Sequence, residues 1–383
     1  MHPIIPLAIS EGRRGSRKAW ALPLERSAIL PAIRALMIRY GLLLSVALLG
    51  SYSLHAQADG KAKQELVPYC IGFYNIENLY DTIDSPDTDD AEFLPGAAKQ
   101  WGTMRYGRKV DKMGEVIGAM GKDLNGLAVI GLAEVENRGV LEDLVKAKAI
   151  ANKHYGIVHH DSPDRRGVDV AMLYDPARFT VLHERAYRLS NPADTAWRTR
   201  DQLVVTGLAD GDTLSVIVAH WPSRRGGEAR SKPLRVLAAS LGRHIVDSLA
   251  TVHPQGRIAY MGDLNDDPVD ESVKRALKST GDKNKAVGPL LYNPMFELYN
   301  KGIGSLAWRD SWNLFDQIIL SPNMVSGAGG YYRYYGTRVF NEPFLKQTDG
   351  NFQGYPHRTF VGDQYTDGWS DHFPVFVILV REK

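Results

Sequence analysis

Asp263 and Asn265 are the pair of residues in this sequence with the clearest chemical use. They follow a short apolar run at 256–260 and precede a proline-containing turn. Side chains two positions apart on an extended chain project to the same side. Asp263 could therefore ligate a hard cation or orient a water, while Asn265 hydrogen-bonds a phosphate oxygen without adding charge. The same pattern is common where a strand turns into a helix, so the pair alone does not identify an active site.

Polar residues with similar chemistry stand at the ends of other predicted strands. Besides Asp263 and Asn265 they are Asn75, Glu134, His220, Asp371 and His372, and Asp316 lies at the start of a further apolar run. Any one of them could be a cap or a turn. Repeated delivery of carboxylates, carboxamides and histidines from the edges of sheets favours a catalytic site.

The elements that must position these residues alternate between strands and helices. Apolar spacing predicts helices at 105–120, 139–152, 234–249 and 269–278. It predicts β-rich runs at 66–75, 127–132, 155–160, 168–174, 179–189, 203–208, 214–219, 256–260, 312–320 and 373–380. We expect an α/β chain with mixed sheets, in which residues 59–383 form one domain.

The N-terminal segment has the composition of a targeting sequence. A positive region begins at Met37, an apolar core of about fifteen residues follows, and Ala56-Gln57-Ala58 offers a cleavage site. We expect residues 1–36 to be an over-long gene start and disordered, and residues 37–58 to be a cleaved signal peptide. This predicts a secreted or periplasmic protein without a stable membrane anchor.

Charge and cysteine content exclude some classes of protein. Of 46 Lys/Arg and 44 Asp/Glu, residues 1–58 contain seven and two, so the remainder carries 39 and 42 and a net charge of −3. Residues 59–383 therefore lack the excess of basic residues expected of a protein that binds nucleic acid by charge alone. The single cysteine, Cys70, excludes an internal disulfide, and its apolar surroundings predict a buried side chain.

Six motifs that carry the candidate residues resemble those of the endonuclease/exonuclease/phosphatase superfamily, which includes pancreatic-type deoxyribonuclease, exonuclease III, sphingomyelinases and inositol-phosphate phosphatases. In this sequence they read FYNIEN (73–78), LAEVEN (132–137), VAHWPS (218–223), MGDLND (261–266), LFDQIIL (314–320) and SDHFPV (370–375). They occur in the family's order over about 300 residues. The resemblance implies a four-layer α/β/β/α sandwich, in which two mixed sheets pack face to face with helices outside.

The resemblance also implies a metal site. Glu134 would be the principal ligand of a divalent cation, with Asn75 and Asp371 nearby. Oxygen-only ligation favours Mg²⁺, with Mn²⁺ or Ca²⁺ as substitutes.

Five further residues take catalytic roles by the same resemblance. Asp263 would orient or deprotonate the attacking water, and Asn265 would hold the phosphate. Asp316 would hydrogen-bond His372 and favour its imidazolium form. His220 would protonate or stabilise the leaving oxygen, and a histidine at this position argues against abasic-site repair.

Other residues have two interpretations. Asp169 could orient His220, but the strand register is open. His159 and His160 could be a metal pair, but neighbours on a strand face opposite sides, so we expect two surface histidines. Trp221 could stack on a base or sugar, as could Trp369, or both could pack the rim. Either a phosphate groove or solvated loops would account for five arginines, at positions 165, 166, 224, 225 and 230.

These observations lead to a functional hypothesis with two alternatives. The leading one is a secreted, divalent-metal-dependent phosphodiesterase, monomeric, which degrades extracellular DNA or RNA. The first alternative applies the same chemistry to a phospholipid headgroup or a small phosphate ester. A sphingomyelinase-like protein would present an exposed apolar hairpin, and the sequence shows no clear one. The second alternative is an inactive binding protein, which the full set of chemically competent residues disfavours.

Overall fold

The part of the chain that this computed structural model describes, residues 65–327 and 331–383, is built on two mixed β-sheets. Seventeen strands contribute to its sheets and hairpins: β1 Leu66–Leu79, β2 Leu127–Val135, β3 Gly156–His159, β4 Asp169–Tyr174, β5 Phe179–Tyr187, β6 Gln202–Ala209, β7 Asp212–His220, β8 Arg257–Asp263, β9 Ser279–Thr280, β10 Leu291–Tyr292, β11 Leu306–Trp308, β12 Ser311–Asn313, β13 Asp316–Leu320, β14 Arg333–Val339, β15 Phe360–Val361, β16 Gln364–Tyr365 and β17 Val375–Glu382. The predictions for residues 1–58 lie outside the described residues.

Five α-helices occur in the same part of the chain: α1 Thr103–Ala119, α2 Arg138–Leu144, α3 Glu228–Val252, α4 Met295–Asn300 and α5 Asn323–Ser326. In α1 the buried residues Val110, Met113, Val116 and Ile117 recur at three- and four-residue spacing, so the helix buries one stripe and exposes the other. Within the described residues, no helix is both long and apolar enough to cross a membrane.

The strand order places two parallel pairs at the centres of the sheets. One sheet has the order β14-β17-β1-β2-β4-β3, and the other β5-β6-β7-β8-β13-β10-β9. β1 and β2 are parallel, as are β7 and β8, and α1 and α3 lie in the two connections. Since parallel neighbours end at the same edge, the carboxyl ends of each pair deliver side chains together.

Three apolar layers hold the sandwich together. One lies between the sheets, where Ile71 of β1 joins Val218 and Met261 of the other sheet. The other two lie between each sheet and its helices. At Gly131 the sheets approach so closely that a Cβ atom would come within 2.7 Å of Met261 Sδ. The four-layer fold class is confirmed.

Some predicted elements differ from those observed. The helix expected at 269–278 is a single π-helical turn at Ser272–Ala276, and the helix expected at 139–152 ends at Leu144. The strand expected at 312–320 is divided into β12 and β13. The division falls where Leu314 N donates to Asp267 Oδ1 at 2.7 Å, because a side-chain acceptor there replaces a ladder partner.

Candidate active site

A cleft of about 650 Å³ opens where the ends of β2, β7 and β8 meet. Its lining includes five predicted site residues, Glu134, His220, Asp263, Asn265 and His372. The other three contact them or adjoin them: Asn75 bonds Asp263, Asp316 bonds His372, and Asp371 Oδ1 lies 4.0 Å from His372 Nε2. All eight predicted residues therefore lie at one end of the sandwich.

Asp263, the last residue of β8, is the central group of the site. Its Oδ2 accepts a hydrogen bond from Asn75 Nδ2 at 3.1 Å, and its Oδ1 accepts one from Asn265 N at 3.0 Å. The Nε2 atoms of His220 and His372 lie 3.5 Å and 3.9 Å from Oδ2. Burial raises the pKa of Asp263 to about 6, although the charge of His372 opposes the rise. A carboxylate that titrates near neutral pH is suited to accept a proton from water.

His372 is held by a buried carboxylate. Its Nδ1 lies 2.7 Å from Asp316 Oδ2, which also accepts a 2.5 Å hydrogen bond from the Ser305 hydroxyl. Burial alone would lower the pKa of His372, but the charge and hydrogen bond of Asp316, together with the charges of Asp263 and Asp371, raise it well above the ordinary value. The imidazolium is therefore the stable form, with Nε2 directed towards the side of Asp263.

The environment of His220, the last residue of β7, favours the neutral form of the ring, unlike that of His372. It is 4% exposed, and among the described residues its Nδ1 has no hydrogen-bond partner. Burial and then the charge of Arg200 lower its pKa well below the ordinary value. His220 is therefore a neutral imidazole, which can donate one hydrogen bond.

The hypothesis that Asp169 orients His220 is wrong. Asp169 Oδ2 lies 3.0 Å from His159 Nε2, and its Oδ1 accepts a hydrogen bond from Ser162 N at 2.8 Å. The expectation of two surface histidines is wrong for His159, whose side chain is 3% exposed, and correct for His160, at 39%. His159, Asp161 and Asp169 also form the one group of three His, Cys, Asp or Glu residues spaced for a metal within residues 65–327 and 331–383, and it contains no predicted ligand.

Glu134 reaches the cleft because β2 is irregular at this point. The register against β4 shifts between Ala133 and Val135, and Glu134 has a positive φ of 66°. Its Oε2 accepts a hydrogen bond from Asn78 N at 3.0 Å and lies 3.2 Å from Arg166 Nη2. Burial alone would raise the pKa of Glu134, but the charge and hydrogen bond of Arg166, together with the two site histidines, outweigh it and hold the pKa at about 2.

Several residues in or next to the site have left-handed backbone. Glu77, Asn78 and Asn265 have φ values of 49°, 52° and 50°, in addition to Glu134. Each non-glycine residue in this region costs on the order of 1 kcal/mol. At Glu134 and Asn265, which line the cleft, this strained backbone sets the direction in which the site side chains project.

The residues predicted to hold a metal fit a divalent cation by the chemistry of their donors. Glu134, Asp371 and the Asn75 carboxamide offer oxygen atoms only, the set that Mg²⁺, Mn²⁺ and Ca²⁺ prefer. Both carboxylates already face a cationic group: Glu134 faces Arg166, and Asp371 Oδ2 accepts a hydrogen bond from Arg358 Nη2 at 3.0 Å. The positions are therefore suited to bind positive charge.

The predicted arginines divide into two groups. Arg165, Arg166 and Arg225 line the cleft. Arg224 points elsewhere: its Nη2 lies 2.8 Å from Asp270 and its Nε donates to Asn265 O at 2.9 Å, so it braces the loop after β8. Arg230 is exposed and lies outside the lining.

Sequence reasoning missed two arginines of the cleft, Arg198 and Arg200. Arg200 is buried and bridges Asp164 Oδ2 at 3.0 Å and Trp221 O at 2.8 Å. The Arg-Thr-Arg spacing at 198–200 directly before β6 was the one available signal.

The two tryptophans beside the site histidines pack inside the fold. Trp221 is 0% exposed, and its Nε1 donates to Tyr260 Oη at 2.8 Å, so it cannot stack on a substrate base. The ring of Trp369 packs against Phe344 at 5.7 Å and His357 at 5.8 Å. Of the two interpretations, rim packing holds for both. Cys70 is buried, as predicted.

Comparisons with known proteins agree with this architecture. The model of the endonuclease/exonuclease/phosphatase family matches residues 70–381. An endonuclease/exonuclease/phosphatase family protein from Bacteroides thetaiotaomicron is 18% identical, with a TM-score of 0.50 over 83% of this chain and 97% of that one. TDP2 from C. elegans is 14% identical, with a TM-score of 0.51 over 96% and 99% of the two chains. Humanized D. rerio TDP2 is 12% identical, with a TM-score of 0.50 over 82% and 99%.

These structural likenesses show the fold alone, and the comparison with curated proteins gave no match. The family model nevertheless extends over most of the chain and includes all eight predicted site residues. The chain therefore belongs to the endonuclease/exonuclease/phosphatase family, whose members are metal-dependent phosphoesterases.

Proposed function

We propose that this protein is a secreted, divalent-metal-dependent phosphodiesterase that hydrolyses DNA or RNA. The observation that carries the proposal is the position of Asp263, which lies between a neutral His220 and a charged His372 in one cleft. Water attack on a phosphodiester requires a base, a hydrogen-bond donor and a fixed positive charge around one point, and these three residues provide them.

The metal in this proposal is Mg²⁺, held by Glu134, Asp371 and Asn75. When bound, it supplies positive charge that stabilises the phosphate oxygens as negative charge develops on them. Mn²⁺ and Ca²⁺ are the alternatives, because the same oxygen donors accept them.

The chain's own side chains account for the remaining steps. Asp263, with a pKa of about 6, accepts a proton from water as its oxygen attacks phosphorus. The His372 imidazolium and the Asn265 carboxamide hydrogen-bond non-bridging oxygens and hold the phosphate in line for the attack. His220 donates to the leaving oxygen on the opposite side. Asp316 keeps His372 charged and fixes its ring.

The charge distribution supports a nucleic acid as the substrate. The body of the chain has a net charge of −3, yet five arginines line this cleft: Arg165, Arg166, Arg198, Arg200 and Arg225. Local concentration of arginine in an otherwise slightly acidic protein favours a polyanionic ligand at this place.

The proposal is tested by assaying the purified protein with Mg²⁺ against plasmid DNA, RNA, sphingomyelin and bis-p-nitrophenyl phosphate. We expect cleavage of a nucleic acid, its loss in EDTA, and its loss in the Asp263→Asn variant. Cleavage of sphingomyelin without cleavage of either nucleic acid would contradict the proposed substrate. A wild-type protein inactive on all four would support the inactive binding protein.

A phospholipid headgroup is the second candidate, because one structural feature favours it. The β11–β12 hairpin exposes Trp308 at 64% and Trp312 at 36%, although no clear apolar hairpin was expected from the sequence. Trp312 stacks on Phe373, beside His372, with ring centroids 6.1 Å apart. Exposed tryptophans next to a site suit an interface with lipid. Replacing Trp308 by Ala should then impair sphingomyelin hydrolysis in vesicles and leave plasmid cleavage unaffected.

Export is the other part of the proposal. It rests on the positive, apolar and small-residue pattern that begins at Met37. N-terminal sequencing of the exported protein should find a start after Ala56 or Ala58. A mature form that retains residues 42–49 would defeat this part.

A further inference from the structure

One wall of the cleft is built by three loops that each contribute arginine. The turn before β4 provides Arg165 and Arg166, the segment before β6 provides Arg198 and Arg200, and the loop after β7 provides Arg225. We call these five residues the arginine wall. The loops are separated in sequence and meet only through the fold.

Two members of the wall already have carboxylate partners. Arg166 pairs with Glu134, and Arg200 Nη1 lies 3.0 Å from Asp164 Oδ2. Asp164 also binds the loop itself, because Arg166 N donates to its Oδ1 at 3.0 Å. These pairs fix two of the three loops and neutralise two of the five charges.

The other three guanidinium groups keep their charge. Within the described parts of the chain, Arg165, Arg198 and Arg225 have no ion-pair partner, and all three are exposed at the cleft. Arg198 donates only to the backbone carbonyls of Thr195 and Trp197, at 2.7 Å and 3.0 Å. An excess of three positive charges therefore faces the cleft beside the catalytic group.

We propose that Arg165, Arg198 and Arg225 bind a phosphate group of the substrate that is not the one hydrolysed. The inference rests on the proposed function and deepens it, since it requires a substrate with at least two phosphates. The scissile phosphate is held by His372 and Asn265, and its neighbour along the strand lies against the wall.

Phosphate is the anion that this wall suits best. Guanidinium groups form planar, bidentate hydrogen bonds with phosphate oxygens, and several can share one phosphate. The Ser223 hydroxyl lies in the same lining and can accompany them. A cleft of about 650 Å³ also exceeds the space that a single phosphate needs, so it can admit the next nucleotide.

Binding is measured by calorimetry with Mg²⁺, which needs no turnover. Thymidine 3′,5′-bisphosphate is compared with the two thymidine monophosphates. We expect the wild-type protein to bind the bisphosphate about tenfold more tightly than either monophosphate. The triple variant Arg165→Gln, Arg198→Gln, Arg225→Gln should lose this preference. Arg230→Gln, in the first turn of α3 and outside the lining, is the matched control and should keep it.

A second measurement uses the salt dependence of oligonucleotide binding. The slope of log affinity against log salt should decrease by about one for each of Arg165, Arg198 and Arg225 that is replaced, and should not change in Arg230→Gln. Inositol bisphosphate forms a third arm. Equal affinity for inositol and thymidine bisphosphates would identify the second phosphate group itself, rather than the nucleic acid strand, as what the wall recognises.

The outcomes separate this inference from the proposed function. If the bisphosphate and monophosphates bind equally, or the triple variant keeps the preference, the wall does not bind a second phosphate, even if DNA is cleaved. A different result is also possible: the wild-type protein prefers the bisphosphate, the triple variant does not, and no nucleic acid is cleaved. In that case the inference stands and the nuclease proposal fails.

Discussion

Asp316 and His372 lie 56 residues apart in the sequence, and their side chains meet with 2.7 Å between Oδ2 and Nδ1. The contact forms because β13 is antiparallel to β8, which places Asp316 opposite Asp263. The loop before β17 then brings His372 onto the same edge. The prediction from the sequence that these two residues interact is confirmed, and their roles in turnover stay predictions.

Replacing Asp316 by Asn should reduce turnover on the order of 10²-fold with little change in substrate binding. The carboxylate raises the pKa of His372, so its removal lowers that pKa, and the imidazolium is lost at a lower pH. The alkaline limb of the pH–rate profile should therefore move to lower pH. The acid limb should still report the deprotonation of Asp263, whose pKa in the wild-type protein is about 6.

Histidine NMR titration provides the independent check, because it follows the His372 ring directly. A His372 pKa unchanged in Asp316→Asn would contradict the assigned role, whatever the rate. Ser305→Ala is a useful control, since it removes the other hydrogen bond to Asp316 Oδ2 and leaves the charge in place.

Replacing Glu134 by Gln should abolish metal-dependent turnover and preserve the fold. The residue is isosteric and keeps an acceptor for Asn78 N, while the negative charge that a divalent cation requires is lost. Mg²⁺ should raise the melting temperature of the wild-type protein and not that of the variant, because a ligand stabilises only the state it binds. Wild-type activity of the variant at limiting Mg²⁺ would show that Glu134 is not the ligand.

Much of this site could be predicted because polar residues that end buried apolar runs lie at the same edge of the sandwich. Asn75, Glu134, His220 and Asp263 were each visible as a break in an apolar run, and the fold makes those breaks coincide. The hydrogen-bond partner of Asp169 could not be predicted in this way. A shift of one residue in strand register reverses the face of every side chain, and the sequence does not show that His159 pairs with Asp169.

Buried ionic side chains were the other feature that the sequence did not predict. Arg200 gave no periodic signal, and neither did Lys109, which lies within α1 and is 1% exposed. Its Nζ donates to Thr359 Oγ1 at 2.6 Å and to Trp369 O at 2.5 Å, and lies 4.0 Å from Glu77 Oε2. The Lys109 contacts with Thr359 and Trp369 join segments 250 and 260 residues apart, so they become apparent only from the fold.

The Lys109–Glu77 pair predicts a pH-dependent loss of stability. Lys109→Met should destabilise the protein by about 3 kcal/mol, because it leaves a buried carboxylate without its cation. Burial raises the pKa of Glu77 from 4.5 to about 7, so in this window the folded state holds more protons and stability falls as pH rises. Loss of the Lys109 charge raises the pKa of Glu77 further, so the decrease in stability with rising pH continues above pH 7.

Urea unfolding at pH 6 and pH 9 measures the effect. The difference in unfolding free energy between the wild-type protein and Lys109→Met should be larger at pH 9. The double variant Glu77→Gln, Lys109→Met removes the carboxylate and should not show this increase. An equal difference at the two pH values would mean that Glu77 is not the group that Lys109 neutralises.

The final prediction concerns His220: the loss of rate in His220→Ala should depend on the leaving group. Burial, and then the charge of Arg200, keep its pKa low, so it acts as a neutral hydrogen-bond donor to the departing oxygen. An alkoxide leaving from DNA needs that hydrogen bond, whereas p-nitrophenolate is a stable anion and departs without it. We expect His220→Ala to reduce DNA cleavage on the order of 10²-fold and hydrolysis of bis-p-nitrophenyl phosphate by less than about tenfold. His183→Ala, an exposed histidine on β5, is the control and should alter neither rate. Equal losses on the two substrates would show that His220 acts on the phosphate or on Asp263, 3.5 Å away, and not on the leaving oxygen.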